Sequence, residues 1–230
     1  MNLVSLTAFP LLHQILRNYH LLNMVQMNAL RHINNVYCCT LIDETRLLIG
    51  CDDSMICCDL DIHAYHRLSS SKRFYAIVYV QSEQLIVALS GKQRAIKLIP
   101  IRALDNENIE WIKIAESKNA TTFTVAYDSG VAYVAVAVRK TLHIFEITRK
   151  KARYAPHREI QMPVNIQTLN SCRGNLIAVG TSSNFIVYHV NRSETPLCKF
   201  SAYFCVKVTL YLIIYKSPPP PCRLGQSRVA

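Results

Sequence analysis

From Val36 onward the hydrophobic positions fall into short β-branched and aromatic runs bounded by Gly, Ser, Asn and charged residues, the pattern of strands joined by tight turns. Four segments share one layout of apolar strand, polar turn and second strand: "RLLIGCDDSMICCDL", "QLIVALSGKQRAIKLIP", "YVAVAVRKTLHIFEI" and "NLIAVGTSSNFIVYHV". Their turns are placed near Gly50, Gly91, Arg139 and Gly180, a period of about 40 to 48 residues that matches the blades of a β-propeller. Three of the chain's six glycines thus fall at expected turns, where a positive φ favours a residue without a Cβ. "RFYAIVYV" (Arg73 to Val80) and "TTFTVAY" (Thr121 to Tyr127) supply further strands between the repeats. A β-sandwich of the same strands is the alternative; the repeat spacing favours the propeller.

The first thirty residues follow another rhythm. Leu12, Ile15, Leu16, Tyr19, Leu22 and Met27 recur at spacings near three and four, which predicts a short helical segment within residues 1–32. Residues 33–200 form the expected all-β unit. Residues 201–230 change composition abruptly and include a four-proline run; they are expected to be an unrelated or disordered tail, from a truncated or misassembled gene model or an alternative splice.

Composition narrows the function classes. Half of the 230 residues are hydrophobic and 18% are charged, which supports a folded core and argues against disorder. Nine cysteines are scattered along the chain, and the adjacent pairs Cys38–Cys39 and Cys57–Cys58 would point to opposite faces of a strand, so reduced thiols are expected. No charged n-region and cleavage site mark a secretory signal, and the run Tyr203 to Tyr215 is broken by Lys207 and falls short of the about 20 residues of a membrane helix. The expectation is a soluble cytoplasmic protein that associates with cytoskeleton or membrane. The net charge is +11, of which residues 31–200 carry about +6, a moderate bias toward acidic partners.

A wider resemblance rests on "FYAIVYVQSEQLIVALSGKQRAIKLIPIRAL", "KIAESKNATTFTV", "VAVAVRKTLHIFEI", "REIQMPVNIQTL" and "NLIAVGTSSNFIVYHV". Over about residues 33 to 200 the chain resembles the citron homology (CNH) domain, in the form found in myotonic-dystrophy-kinase-related (MRCK-type) serine/threonine kinases that bind Rho-family GTPases. The resemblance implies a WD40-like propeller used for protein interaction and localisation, with Rho-family small GTPases or cytoskeletal regulators as partners and no catalytic residues or cofactors. A CNH domain is normally longer than the four blade-like units visible here. The expected fold is therefore a partial propeller with exposed edges, prone to aggregate in isolation. The alternative functional reading is a fragment of an MRCK-type kinase acting in actomyosin regulation, its kinase domain absent from this chain.

Chemistry is sparse. The chain has no glycine-rich phosphate loop, no H-R-D or D-F-G, and no G-x-S-x-G elbow, so no enzyme is expected. The ligand-rich stretch "LLIGCDDSMICCDLDIHAYH" offers Cys51, Asp61, His63 and His66 as candidate metal ligands, but a second paired element is missing and an ordinary strand followed by a polar connection is preferred; no metal site is expected. Asp52 and Asp53 are read as turn residues. The one charged feature singled out is "RKKARYAPHRE", a basic loop whose Arg149, Lys150, Lys151, Arg153 and Arg158 are candidates for an acidic protein or lipid surface, against the plainer reading of a solvated loop. Tyr154 is its sole aromatic, which disfavours nucleic acid.

Overall fold

A computed structural model describes residues 35–62, 64–69, 72–105, 111–149, 153–172, 174–192 and 196–201. The expected N-terminal helix and residues 202–230 of the expected tail lie outside these. The described chain is built from sixteen strands in four antiparallel sheets, each a four-stranded meander of consecutive strands. Sheet 1 holds β1 (Val36–Leu41), β2 (Arg46–Cys51), β3 (Ser54–Asp59) and β4 (Ala64–Ser69). Sheet 2 holds β5 (Phe74–Val80), β6 (Leu85–Ser90), β7 (Ala95–Pro100) and β8 (Ile112–Lys113). Sheet 3 holds β9 (Thr122–Asp128), β10 (Val131–Val138), β11 (Thr141–Thr148) and β12 (Arg153–Gln161), and sheet 4 holds β13 (Ile166–Cys172), β14 (Leu176–Thr181), β15 (Asn184–His189) and β16 (Cys198–Ser201). Consecutive sheets stack face to face as propeller blades do.

The stacking explains the long apolar runs of the middle strands. In β6, Leu85, Val87 and Leu89 pack toward sheet 3 while Ile86 and Ala88 pack toward sheet 1. In β10, Val134 and Val136 face sheet 2, whereas Ala135 and Ala137 face sheet 4. Side chains alternate with period two, so a strand buried on both faces reads as a nearly continuous apolar run. The same alternation divides the adjacent cysteines: Cys38 and Cys57 pack between sheets 1 and 2, and Cys39 and Cys58 join the cluster on the opposite face of sheet 1. Burial pushes the Cys38 thiol up to about 12 and that of Cys58 to about 11, well above an ordinary thiol.

Two of the four expected glycine and arginine turns are corrected. Gly91 and Arg139 do occupy turns with positive φ, +80° and +55°. Gly50 and Gly180 instead lie inside β2 and β14, and the turns follow two residues later. Their glycine is required by close approach and not by φ. The first strand of each sheet bulges opposite them, between Val36 and Cys38 and between Ile166 and Thr168. A Cβ on Gly50 would sit 2.9 Å from Cβ of Phe74, and one on Gly180 would collide with Oγ1 of Thr168. The β6–β7 and β10–β11 turns also stitch blades together. Their residues Arg94 and Arg139 accept backbone hydrogen bonds from Ala120 and Ile166, on the approach to the next sheet, at 3.0 and 2.8 Å.

Candidate functional site

The basic segment singled out in the sequence is not the loop that was expected. Arg153 to Gln161 form β12, the outer strand of sheet 3, with mostly exposed side chains and a bulge at His157. A polar outer strand lacks the apolar alternation from which strands are read, which is why its sequence looks like a loop. Arg149 is exposed just past β11, and its backbone N–H donates to Glu83 at 2.7 Å. Arg153 is exposed at the start of β12, and Lys150 and Lys151 lie outside the described residues. Arg158 is half-buried, and its guanidinium donates to the carbonyl oxygens of His189, at 3.2 Å, of Val190 and of Arg192. It thereby ties sheet 3 to the end of β15. Arg149 and Arg153 thus stand exposed at the end of β11 and the start of β12, while Arg158 is committed to a contact between sheets 3 and 4.

The ligand-rich stretch is likewise distributed. Cys51 is buried at the end of β2, Asp61 sits in an exposed turn, and Nε2 of His66 lies 3.0 Å from the Leu104 carbonyl oxygen; His63 lies outside the described residues. Among the described residues no group of three or more His, Cys, Asp or Glu side chains is arranged to hold a metal. Asp52 and Asp53 do occupy the β2–β3 turn. Asp53 pairs with Arg67 and Ser54. Asp52 accepts from Nδ2 of Asn35 at 2.6 Å, from the Tyr37 hydroxyl at 2.8 Å and from Arg73 at 2.7 Å. The hydrogen bonds from Asn35 and Tyr37, with the nearby Arg73 charge, hold its carboxyl below the usual carboxylate range.

A convergence of charge that the sequence reading missed begins at that aspartate. The face of sheet 2 turned toward sheet 1 runs Ile86, Ala88, Ser90 on β6, and opposite them Ile99, Lys97, Ala95 on β7. The first pairs are core; at Lys97 and Ser90 the face turns polar while remaining buried, with the two residues 5% and 2% exposed. They line a cavity of about 710 Å³ together with Lys72, Arg73, Lys92 and Lys113. Asp52 is the sole carboxylate among its lining residues. Lys113 is the β8 partner of Lys97 and donates to Oε1 of Gln93 at 3.0 Å.

The ammonium of Lys97 lies 3.7 Å from the centroid of Trp111, and that of Lys72 lies 4.7 Å from it. Cation–π attraction offsets part of the cost of burying this charge. It does not supply hydrogen bonds: neither Nζ of Lys97 nor Oγ of Ser90 has a hydrogen-bonding partner among the described residues. Desolvation, aided by the charges of Lys72 and Lys113, pulls the Lys97 ammonium down to about 8. A signal for this site was present in "AIKLIP", a lysine at an inward position of a strand whose neighbours Ile96 and Leu98 are fully buried.

The CNH domain model matches residues 43–210, ten residues past the Phe200 boundary read from the sequence. The chain is 29% identical over 84% of its length to the serine/threonine-protein kinase Genghis Khan of Drosophila melanogaster, of which the match covers 13%. It is 26% identical over 71% of its length to the serine/threonine-protein kinase MRCK alpha of Rattus norvegicus, of which the match covers 10%. The chain thus spans a small fraction of the curated relatives it matches. Among solved structures, the AfRom2 CNH domain superimposes with a TM-score of 0.57 at 18% identity, covering 79% of this chain and 59% of that one, a likeness of fold. By the extent of the family match and the blade-like sheets beneath it, the chain belongs to the CNH domain family of non-catalytic regulatory interaction modules.

Proposed function

We propose that this chain is the partner-recruiting propeller portion of an MRCK-type signalling kinase, working in the cytoplasm at the actin cytoskeleton and engaging a Rho-family GTPase among its protein partners. The observation that carries the reading is the unbroken CNH match over residues 43–210, shared with serine/threonine-protein kinases. The four-sheet framework suits such a role, because rigid stacked sheets present turns and outer strands as fixed surfaces. Phosphoryl transfer belongs to other parts of such a kinase, since the matches to the relatives lie in a region of 13% or less of their length. Among the described residues no helix is long and apolar enough to cross a membrane.

The test is capture of purified Rho-family GTPases, loaded with GTP analogue or GDP, on the immobilised chain. Retention at micromolar concentration that depends on the bound nucleotide is the expected result. Equal, salt-labile retention of both forms, or none, overturns the GTPase assignment.

A further inference from the structure

The cavity between sheets 1 and 2 has the make-up of a binding site for a compact, multiply charged anion. Its lining carries five cationic side chains and one carboxylate, and that carboxylate is already satisfied by Asn35, Tyr37 and Arg73. Like charges gathered around one space repel one another, and an exposed cluster would relieve this by swinging into water. Lys97 has no such freedom, because it issues from the middle of a strand with fully buried neighbours and is itself 5% exposed. Beside it the Ser90 hydroxyl is buried with its donor unused. Two buried donors without acceptors, aimed into one cationic cavity, are costly unless an acceptor enters it.

We propose that this cavity binds a small ligand bearing clustered phosphate groups, free or as the headgroup of a lipid, with Lys97 and Ser90 as its innermost donors and Lys72, Lys92 and Lys113 around the mouth. Phosphate suits the lining better than a carboxylate does. It brings up to two negative charges and three acceptor oxygens per group, and lysines serve it as point charges without the fork geometry that favours planar carboxylates. A volume of about 710 Å³ admits more than one such group. The rings of Trp111 and Tyr75 are engaged by Lys97, Lys72, Arg73 and Arg94, so recognition rests on charge and not on stacking of a base. The inference goes beyond the recruiting role and does not depend on which protein partner is engaged.

Trp111 is the chain's single tryptophan, so its emission reports on the cavity directly. The full chain is titrated with inorganic pyrophosphate and with inositol trisphosphate at constant ionic strength, with sulfate as the control. A saturable change in emission with both phosphates, at least tenfold weaker in Lys97→Met and about threefold weaker in Lys113→Gln, is expected. Lys113 is exposed, so that variant keeps the test valid if Lys97→Met fails to fold. No saturable change, an equal response to sulfate, or undiminished affinity in Lys113→Gln overturns the proposal. Competition by vesicles containing phosphatidylinositol bisphosphate, but not by phosphatidylserine vesicles, identifies a lipid headgroup as the source; binding of the free phosphates without such competition identifies a soluble ligand.

Discussion

Two basic regions of this molecule differ in opposite ways between sequence and space. The cluster around Arg149 to Arg158 is dense in the chain, yet the fold withdraws Arg158 from it and turns it to the carbonyls at the end of β15. The cations of the cavity are spread from Lys72 to Lys113 yet converge, because the β6–β7 hairpin and β8 bring them to one end of sheet 2. Charge density along a chain therefore measures the surface poorly in a meander fold. What matters is which strand positions share a face and which hairpin ends share a rim.

The contrast is broken most forcefully at Arg158. If its role is to join sheets 3 and 4, Arg158→Met costs about 2–3 kcal/mol in a denaturant titration, the range for hydrogen bonds from a charged group to buried acceptors. A variant of unchanged stability that loses a binding partner would instead return Arg158 to the surface role read from the sequence.

A smaller effect of opposite sign is expected in the cavity. Replacing the buried ammonium of Lys97 by methionine raises stability by about 1 kcal/mol at pH 7, as the removal of an unpaired buried charge does. The sign of its pH dependence follows from the lowered ammonium. Below about pH 8 the lysine is charged in both folded and unfolded chains, so the burial cost is present in full. Between about 8 and the ordinary lysine value of 10.5, the unfolded chain binds the extra proton, and the folded wild type gains stability as pH rises. The advantage of Lys97→Met therefore shrinks across that window. Thermal melts of the two proteins at pH 7 and pH 9.5 measure it, and a constant difference would mean that the Lys97 ammonium is not strained by burial. The smallest effect belongs to Arg153, exposed at the start of β12: Arg153→Gln should shift stability by less than about 0.5 kcal/mol in the same melts.

The legible parts of the fold are those buried on both faces. "LIVALS" and "VAYVAVAV" announce themselves as strands because packing against a sheet on each side demands a nearly unbroken apolar run. The outer strand β12 carries only water-facing demands along most of its length, so "RYAPHREIQ" kept no apolar period to be read. Gly50 and Gly180 were assigned to turns because glycine's commonest use is a positive φ. Their true reason, a bulged neighbour pressing on the strand, is a contact between segments that no local pattern contains. Lys97 was visible as an anomaly within "AIKLIP", but Lys72, Lys92 and Lys113 acquire a shared meaning only when sheet 2 is assembled.

The meander connectivity also bears on how the chain acquires its structure. Every ladder among the described residues joins strands that follow one another in sequence, so each sheet closes only short loops. A nascent chain can complete sheet 1 from residues 36–69 before the residues of sheet 2 have been made. Until then Leu48, Met55 and Leu68 await Phe74, Ile77 and Ile86, and the same interval recurs at each later sheet. Such a chain grows by templating, each finished sheet offering an apolar face to its successor. Its exposure to misassembly is set by the pace of synthesis between one sheet and the next.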